Sequence, residues 1–151
     1  MREALDEARK AFDEGEVPVG ALVVDNEGRI MGKAHNRPVS LNDPTAHAEM
    51  LAIRRAAGML GNYRLVGATL VATIEPCPMC MGAALNARVE RLVYGAPDPK
   101  AGAAGSLYDL SSDSRLNHRI EVVSGVLQEE CALLMQRFFR MRRSGEVPKW
   151  S

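Results

Sequence analysis

Long apolar runs are missing from this chain. No stretch approaches the ~18 consecutive apolar residues that suggest a membrane span. Its first residues are charged and helix-like, unlike a secretory leader, so neither a membrane partner nor export is expected. A charge excess is missing too. Lys plus Arg number 19 and Asp plus Glu number 19, so a nucleic acid could be met only through a local basic patch. Cysteine is scarce. There are three, an odd count, and two of them stand close together in Cys77-Pro78-Met79-Cys80. That argues against a disulfide framework and for a reducing, cytoplasmic compartment. Repeats and linkers are absent as well. The simplest organisation is one domain over residues 1–143 with a mobile tail over 144–151. Such a chain is long enough to bury about two-thirds of its unfolded surface.

What is present turns on two short stretches, Ala46-His47-Ala48-Glu49-Met50 and Pro76-Cys77-Pro78-Met79-Cys80. One imidazole and two thiolates are the ligand set that suits zinc. Three protein ligands leave a fourth tetrahedral position open, which marks a catalytic rather than a structural ion. Glu49 then stands beside the metal without binding it. Asp43-Pro44-Thr45 reads as a helix entry with Thr45 as N-cap. His47 and Glu49 would lie in the first turn, roughly 200° apart at ~100° per residue. Cys77 reads as the N-cap of a second helix with Pro78 at its first position, and Cys80 follows on the same face. The positive end of each helix favours thiolate over thiol. Two alternatives stay open at this level. His35 is a candidate fourth ligand, which would make the site structural. A Cys-x-x-Cys pair can also be redox-active, although the upstream His-Ala-Glu speaks against it.

The rest of the chain reads as alternating strands and helices. Residues 2–14 carry apolar positions at helical spacing, with Gly15 ending the helix. Residues 17–24 are nearly continuous in apolar side chains, a strand buried on both faces, although Pro18 argues for a later start. Asp25-Asn26-Glu27-Gly28 is a hairpin turn into an edge strand over 29–34. The helix bearing His47 is expected to end near Ala57, before Gly58. Strands over 68–74 and 89–94 flank the helix that starts at Pro78, which implies a right-handed parallel crossover. Residues 95–105 form the longest irregular stretch, outside the carboxyl ends of these strands, where open α/β sheets bind ligands. Residues 106–117 read as turn-rich with one helical turn, His118 as a surface residue, and 120–124 as a fifth strand. The last helix, over 127–143, turns Leu127, Cys131, Leu134, Met135 and Phe138 to one side. Phe139 lies ~100° from Phe138 and is free to stack on a base. Arg137, Arg140, Arg142 and Arg143 form the densest basic cluster, read either as cations at a helix C-terminus or as an RNA-contacting edge. The fold expected is a three-layer α/β/α sandwich on a five-stranded mixed sheet.

His47-x-Glu49 with Pro76-Cys77-x-x-Cys80 is the signature of the zinc nucleobase deaminases. The wider text resembles one family among them, the bacterial tRNA-specific adenosine deaminases that convert wobble adenosine to inosine. The resemblance runs through Glu16-Val17-Pro18-Val19-Gly20-Ala21, Asn36-Arg37-Pro38 and Asp43-Pro44-Thr45 into both metal stretches. It continues through Tyr94-Gly95-Ala96, Asp98, Lys100 and Gly102-Ala103-Ala104-Gly105-Ser106, and so covers nearly the whole chain. Pro97 and Pro99 depart from the family's pattern. The resemblance implies the cytidine-deaminase fold, one zinc per subunit, and a homodimer with RNA near the subunit junction. It also implies an anticodon stem-loop, that of an arginine tRNA, as substrate. Asn36, read alone as a turn residue, becomes a contact to the purine, and Asp98 and Lys100 become residues of the pocket rim. Phe139 and Arg142 join them as expected substrate contacts.

Zinc makes hydroxide available near neutral pH. Attack at C6 of adenine loads charge onto the ring, and Glu49 is the group the sequence offers to carry the proton to N1. An adenine inside a stacked loop must be extruded to be reached. Two rivals use parts of the same text. One is a zinc deaminase of a free base or nucleoside, such as guanine or cytosine. The other is a zinc-stabilised RNA-binding module, which needs a fourth protein ligand and leaves Glu49 without a task.

Overall fold

Ala4, Leu5, Ala8 and Ala11 are buried along one side of α1 (Arg2–Asp13). Glu7 shares that side and is buried too, held by Lys10 at 2.6 Å and His35 at 3.0 Å. The computed structural model describes residues 1–147. After α1 the elements run β1 (Gly20–Val24), β2 (Ile30–His35), α2 (Pro38–Leu41), α3 (Ala48–Leu60), β3 (Thr69–Ile74), α4 (Pro78–Asn86), β4 (Arg91–Ala96), β5 (Glu121–Val123) and α5 (Gln128–Ser144).

The strands form one sheet in the order β2-β1-β3-β4-β5. β1 is antiparallel to β2 and β3, whereas β3, β4 and β5 are parallel. α1 and α5 cover one face, and α3, with α4 packed beside it, covers the other. This is the expected three-layer sandwich with a mixed sheet. β3 is its central strand, and Leu70 to Ile74 are buried throughout, as a strand covered on both faces requires. Close helix seating needs missing side chains. A Cβ on Gly20 would fall 1.9 Å from the carbonyl oxygen of Ala4, and one on Gly32 would fall 2.5 Å from that of Ala52. Among the described residues no helix is long and apolar enough to cross a membrane.

Several local expectations need correction. β1 starts at Gly20 and not at Val17, since Pro18 has no N–H for the ladder. A short helix, α2, follows Arg37 in a stretch to which the sequence assigned no element. α3 does not stop at Ala57. It runs through Gly58 to Leu60, and Gly61, at φ +68°, is the left-handed residue that ends it. Residues 106–117 contain no helical turn, and Ala104 pairs with Asp109 in an isolated bridge. His118 is half-buried, not superficial, with Nε2 2.7 Å from the Val89 carbonyl oxygen. Of the expected tail, Ser144 closes α5 and Val147 is buried, while residues 148–151 lie outside the described residues.

Candidate metal and base site

Two helix N-termini meet at the carboxyl end of β3. His47 is the N-cap of α3, and Cys77 is the N-cap of α4 with Pro78 at its first position. Neither uses its side chain to cap its own helix, so both are free to point at an ion. Thr45 is not the cap, contrary to expectation. Its N–H and hydroxyl both donate to Asp43 Oδ1, at 2.8 and 2.7 Å, forming a turn that ends before the helix begins. His47 therefore leaves an extended residue, and the 200° helical offset from Glu49 does not apply. The capping acceptor comes from elsewhere: Asn36, at the end of β2, takes the Ala48 N–H on Oδ1 at 2.8 Å.

His47 Nδ1 lies 3.6 Å from Cys77 Sγ and 3.6 Å from Cys80 Sγ. All three ligand atoms fall within 4.8 Å of one another. A tetrahedral zinc with ~2.0 Å bonds to nitrogen and ~2.3 Å bonds to sulfur holds its N and S ligands about 3.6 Å apart. The donor set and its spacing fit the ion, one per subunit. His35 does not join it: its ring lies apart from the three ligands, with Nδ1 hydrogen-bonded to Glu7 at 3.0 Å. All three cysteines are free thiols, and Cys131 is core filler, its thiol pushed up to about 11 by burial. The hydrogen bond from Cys80, with His47 adding to it, pulls Cys77 down to about 4. Cys80 is pushed up by holding the shared proton and by burial. His47 is raised by its bond to Cys77. Glu49, buried at the start of α3, is raised by burial.

A cavity of about 340 Å³ borders this centre, lined by His47, Cys77, Glu49 and Asn36 among others, with Val17, Ile74 and Met135 as apolar wall. Asn36 is buried, and its oxygen is committed to Ala48, so it offers the cavity its NH₂. Asp98 stands at the edge. Its Oδ1 accepts the N–H groups of Lys100 at 2.9 Å and Ala101 at 3.2 Å. A second hollow of about 720 Å³ continues past Asp98 and Met135 and takes in Lys100, Phe139 and Arg143. Phe139 is 39% exposed, against 0% for Phe138, which meets Phe12 edge-on with centroids 5.6 Å apart. Arg143, rather than the expected Arg142, lines this groove. Arg142 is half-buried in the last turn of α5. Arg137 lies over the Phe12 ring, 5.3 Å from its centroid.

Two cavity residues carried no role in the sequence. Glu16 is 1% exposed and accepts the Ser40 N–H at 2.7 Å and the Val39 N–H at 3.3 Å, at the start of α2. Glu75 is 3% exposed and holds the 97–106 loop. The available signal was an acidic residue set directly against an apolar strand with no basic neighbour in sequence, a group that must find donors when buried.

The model of the cytidine and deoxycytidylate deaminase zinc-binding region matches residues 1–96. A tRNA-specific adenosine deaminase of Bacillus subtilis is 52% identical over 143 residues, which cover 95% of this chain and 88% of that protein. One of Haemophilus influenzae is 50% identical over 143 residues, covering 95% and 83%. Among solved structures, one from studies of A-to-I editing by tRNA:A34 deaminases at the wobble position superposes with a TM-score of 0.85 at 46% identity, covering 89% of this chain and 96% of that one. A guanine deaminase of Bacillus subtilis shares 32% identity with a TM-score of 0.62, covering 95% and 90%. With its zinc ligands assembled and its relatives matched nearly end to end, this chain belongs to the tRNA-specific adenosine deaminases of the cytidine-deaminase-like superfamily.

Proposed function

We propose that this protein hydrolytically deaminates adenosine to inosine at the wobble position of a tRNA anticodon loop, acting on an extruded base. The observation that carries the reading is one cavity bordered at once by the ligand set, by Glu49 and by the Asn36 amide. When bound, zinc supplies Lewis-acid activation of water at neutral pH. Glu49 takes the proton released as the C6–O bond forms and passes it to N1. It then takes the remaining proton from the new C6 hydroxyl and delivers it to the amino group as the C6–N bond breaks and ammonia leaves. Burial keeps bulk water from competing for that proton. Asn36 holds the purine by donating its NH₂ to a ring acceptor. Its own orientation is fixed because the same side chain caps α3.

The groove beyond Asp98 receives the neighbouring nucleotides. Phe139 offers a face for stacking, and Lys100 with Arg143 meets phosphates. Arg142 joins this edge as part of the same basic turn. Such a groove has no task for a free base, which is why RNA is favoured over a free nucleobase or nucleoside. A non-catalytic zinc module is disfavoured, since among the described residues no fourth His, Cys, Asp or Glu joins the ligand set. The substrate proposed is the anticodon stem-loop of an arginine tRNA, read in the cytoplasm by a homodimer. Met59, Leu60, Tyr63 and Val66, exposed by 52 to 78% around the end of α3, offer an apolar face for a second copy. Incubation with bulk tRNA, free bases and nucleosides, followed by ammonia measurement and inosine mapping, tests the reading. Inosine at the wobble position is expected. Ammonia from free bases alone, with tRNA unchanged, would refute it.

A further inference from the structure

The loop after β4 is irregular, yet one side chain pins it from within. The Glu75 carboxylate accepts four hydrogen bonds, all from this loop. Oε1 takes the Asp98 N–H at 3.3 Å and the Ser106 hydroxyl. Oε2 takes the N–H groups of Ala104 and Ser106, both at 3.1 Å. Gly102 presses on the same group, and a Cβ there would fall 2.2 Å from Oε2. A backbone N–H left without an acceptor in such a place is costly, so the carboxylate dictates where the loop runs. The loop ends up with Asp98 on the edge shared by cavity and groove, and with Lys100 on the groove wall.

We infer that Glu75 is a positioning residue for RNA recognition, acting through the loop that it pins and not on the reacting atoms. The inference rests on the reading that the cavity takes the base and the groove its neighbours. Glutamine sharpens it, because it has one acceptor oxygen and one NH₂. With its oxygen turned to Ala104 and Ser106, its NH₂ meets the Asp98 N–H, donor against donor, while the Ser106 hydroxyl rotates to accept. Glu75→Gln therefore frees the Asp98 end of the loop and leaves the Ser106 end held. The metal side is untouched, since Cys77 and Cys80 are placed by the start of α4.

The test compares wild type, Glu75→Gln and Ser106→Ala by zinc content, by steady-state kinetics on an anticodon stem-loop RNA with a wobble adenosine, and by amide hydrogen exchange without RNA. Glu75→Gln is expected to keep full zinc, to raise KM about tenfold, the scale of one lost hydrogen bond to a carboxylate, and to change kcat by less than about threefold. Exchange should accelerate over 97–101 and not in α4. Ser106→Ala should shift KM the same way by about two- to threefold, and it carries the test if Glu75→Gln does not fold. Wild-type KM in both variants, or a fall in kcat that tracks lost zinc, overturns the assignment. A wild-type protein inactive on this RNA refutes instead the functional reading beneath it.

Discussion

The metal end of the cavity and the rim along α5 are fixed in different ways. At the metal end His47 and Cys77 are the N-caps of α3 and α4 and Cys80 stands in the first turn of α4, with Cys80 buried and the other two half-buried. At the rim, Phe139, Lys100 and Arg143 are exposed side chains on the last helix and on a loop whose shape comes from Glu75. The first arrangement ties each ligand to the start of a helix, and the second presents several separate exposed groups. Chemistry demands placement within fractions of an ångström, whereas an RNA loop can be held by stacking and charge.

Substitutions should divide along the same line. The largest effect is expected at the ligands. His47→Ala, Cys77→Ala and Cys80→Ala should each lose zinc and turnover together, by more than the ~100-fold seen when only supporting residues around a metal are changed. Zinc-to-protein ratios beside inosine yields check this, and full occupancy in any single variant would break the three-ligand site.

Asn36 comes next and joins the two regions. Asn36→Ala removes the acceptor for the Ala48 N–H and should cost about 1 kcal/mol of stability, measurable by denaturant unfolding. Asn36→Asp keeps that acceptor but puts a buried carboxyl where the donor faced the cavity. It should lose roughly 10- to 100-fold in kcat/KM, the scale of an unpaired hydrogen-bonding group in a base pocket, on top of any loss of stability. Equal kcat/KM for Asn36→Asp and wild type would show that its amide reads nothing.

Smaller effects belong to the rim. Phe139→Ala should weaken RNA binding by about 1–3 kcal/mol with zinc intact, as removal of a stacking face does. Arg143→Ala should lower the salt dependence of RNA binding by about one charge, and Arg142→Ala by less, since Arg143 lines the groove. Fluorescence titrations over a salt series resolve both, and a larger drop for Arg142 would reverse their order.

The contrast also explains what the sequence could tell. Cys77 as an N-cap, Pro78 after it and Cys80 one turn on are local facts, and spacing was enough to read them. The same local logic misread Thr45, because Asp43 captured both of its donors and moved the helix start to His47. Gly58 looked like a stop but sits in the last turn of the helix, which continues through Met59 and Leu60 to the cap at Gly61. The edge position of β2 followed from the Asp25–Gly28 turn, and the parallel pairing of β3 with β4 from the helix between them, whereas the full strand order is set by pairings remote in sequence. Glu75 was illegible for a different reason: its partners, Asp98, Ala104 and Ser106, are remote in sequence and meet it only once the sheet has formed. The exposure of Phe139 could be read from helix geometry. Which arginine of the last turn faces the groove depends on packing no periodicity reveals.

The most direct measurement is made on Glu49→Ala, with zinc counted per chain and inosine mapped in treated tRNA beside the wild type. One zinc is expected in both proteins, with wobble inosine from the wild type and a loss of at least ~10²–10⁴-fold in turnover from the variant. Undiminished inosine formation by a fully metallated Glu49→Ala protein would contradict it.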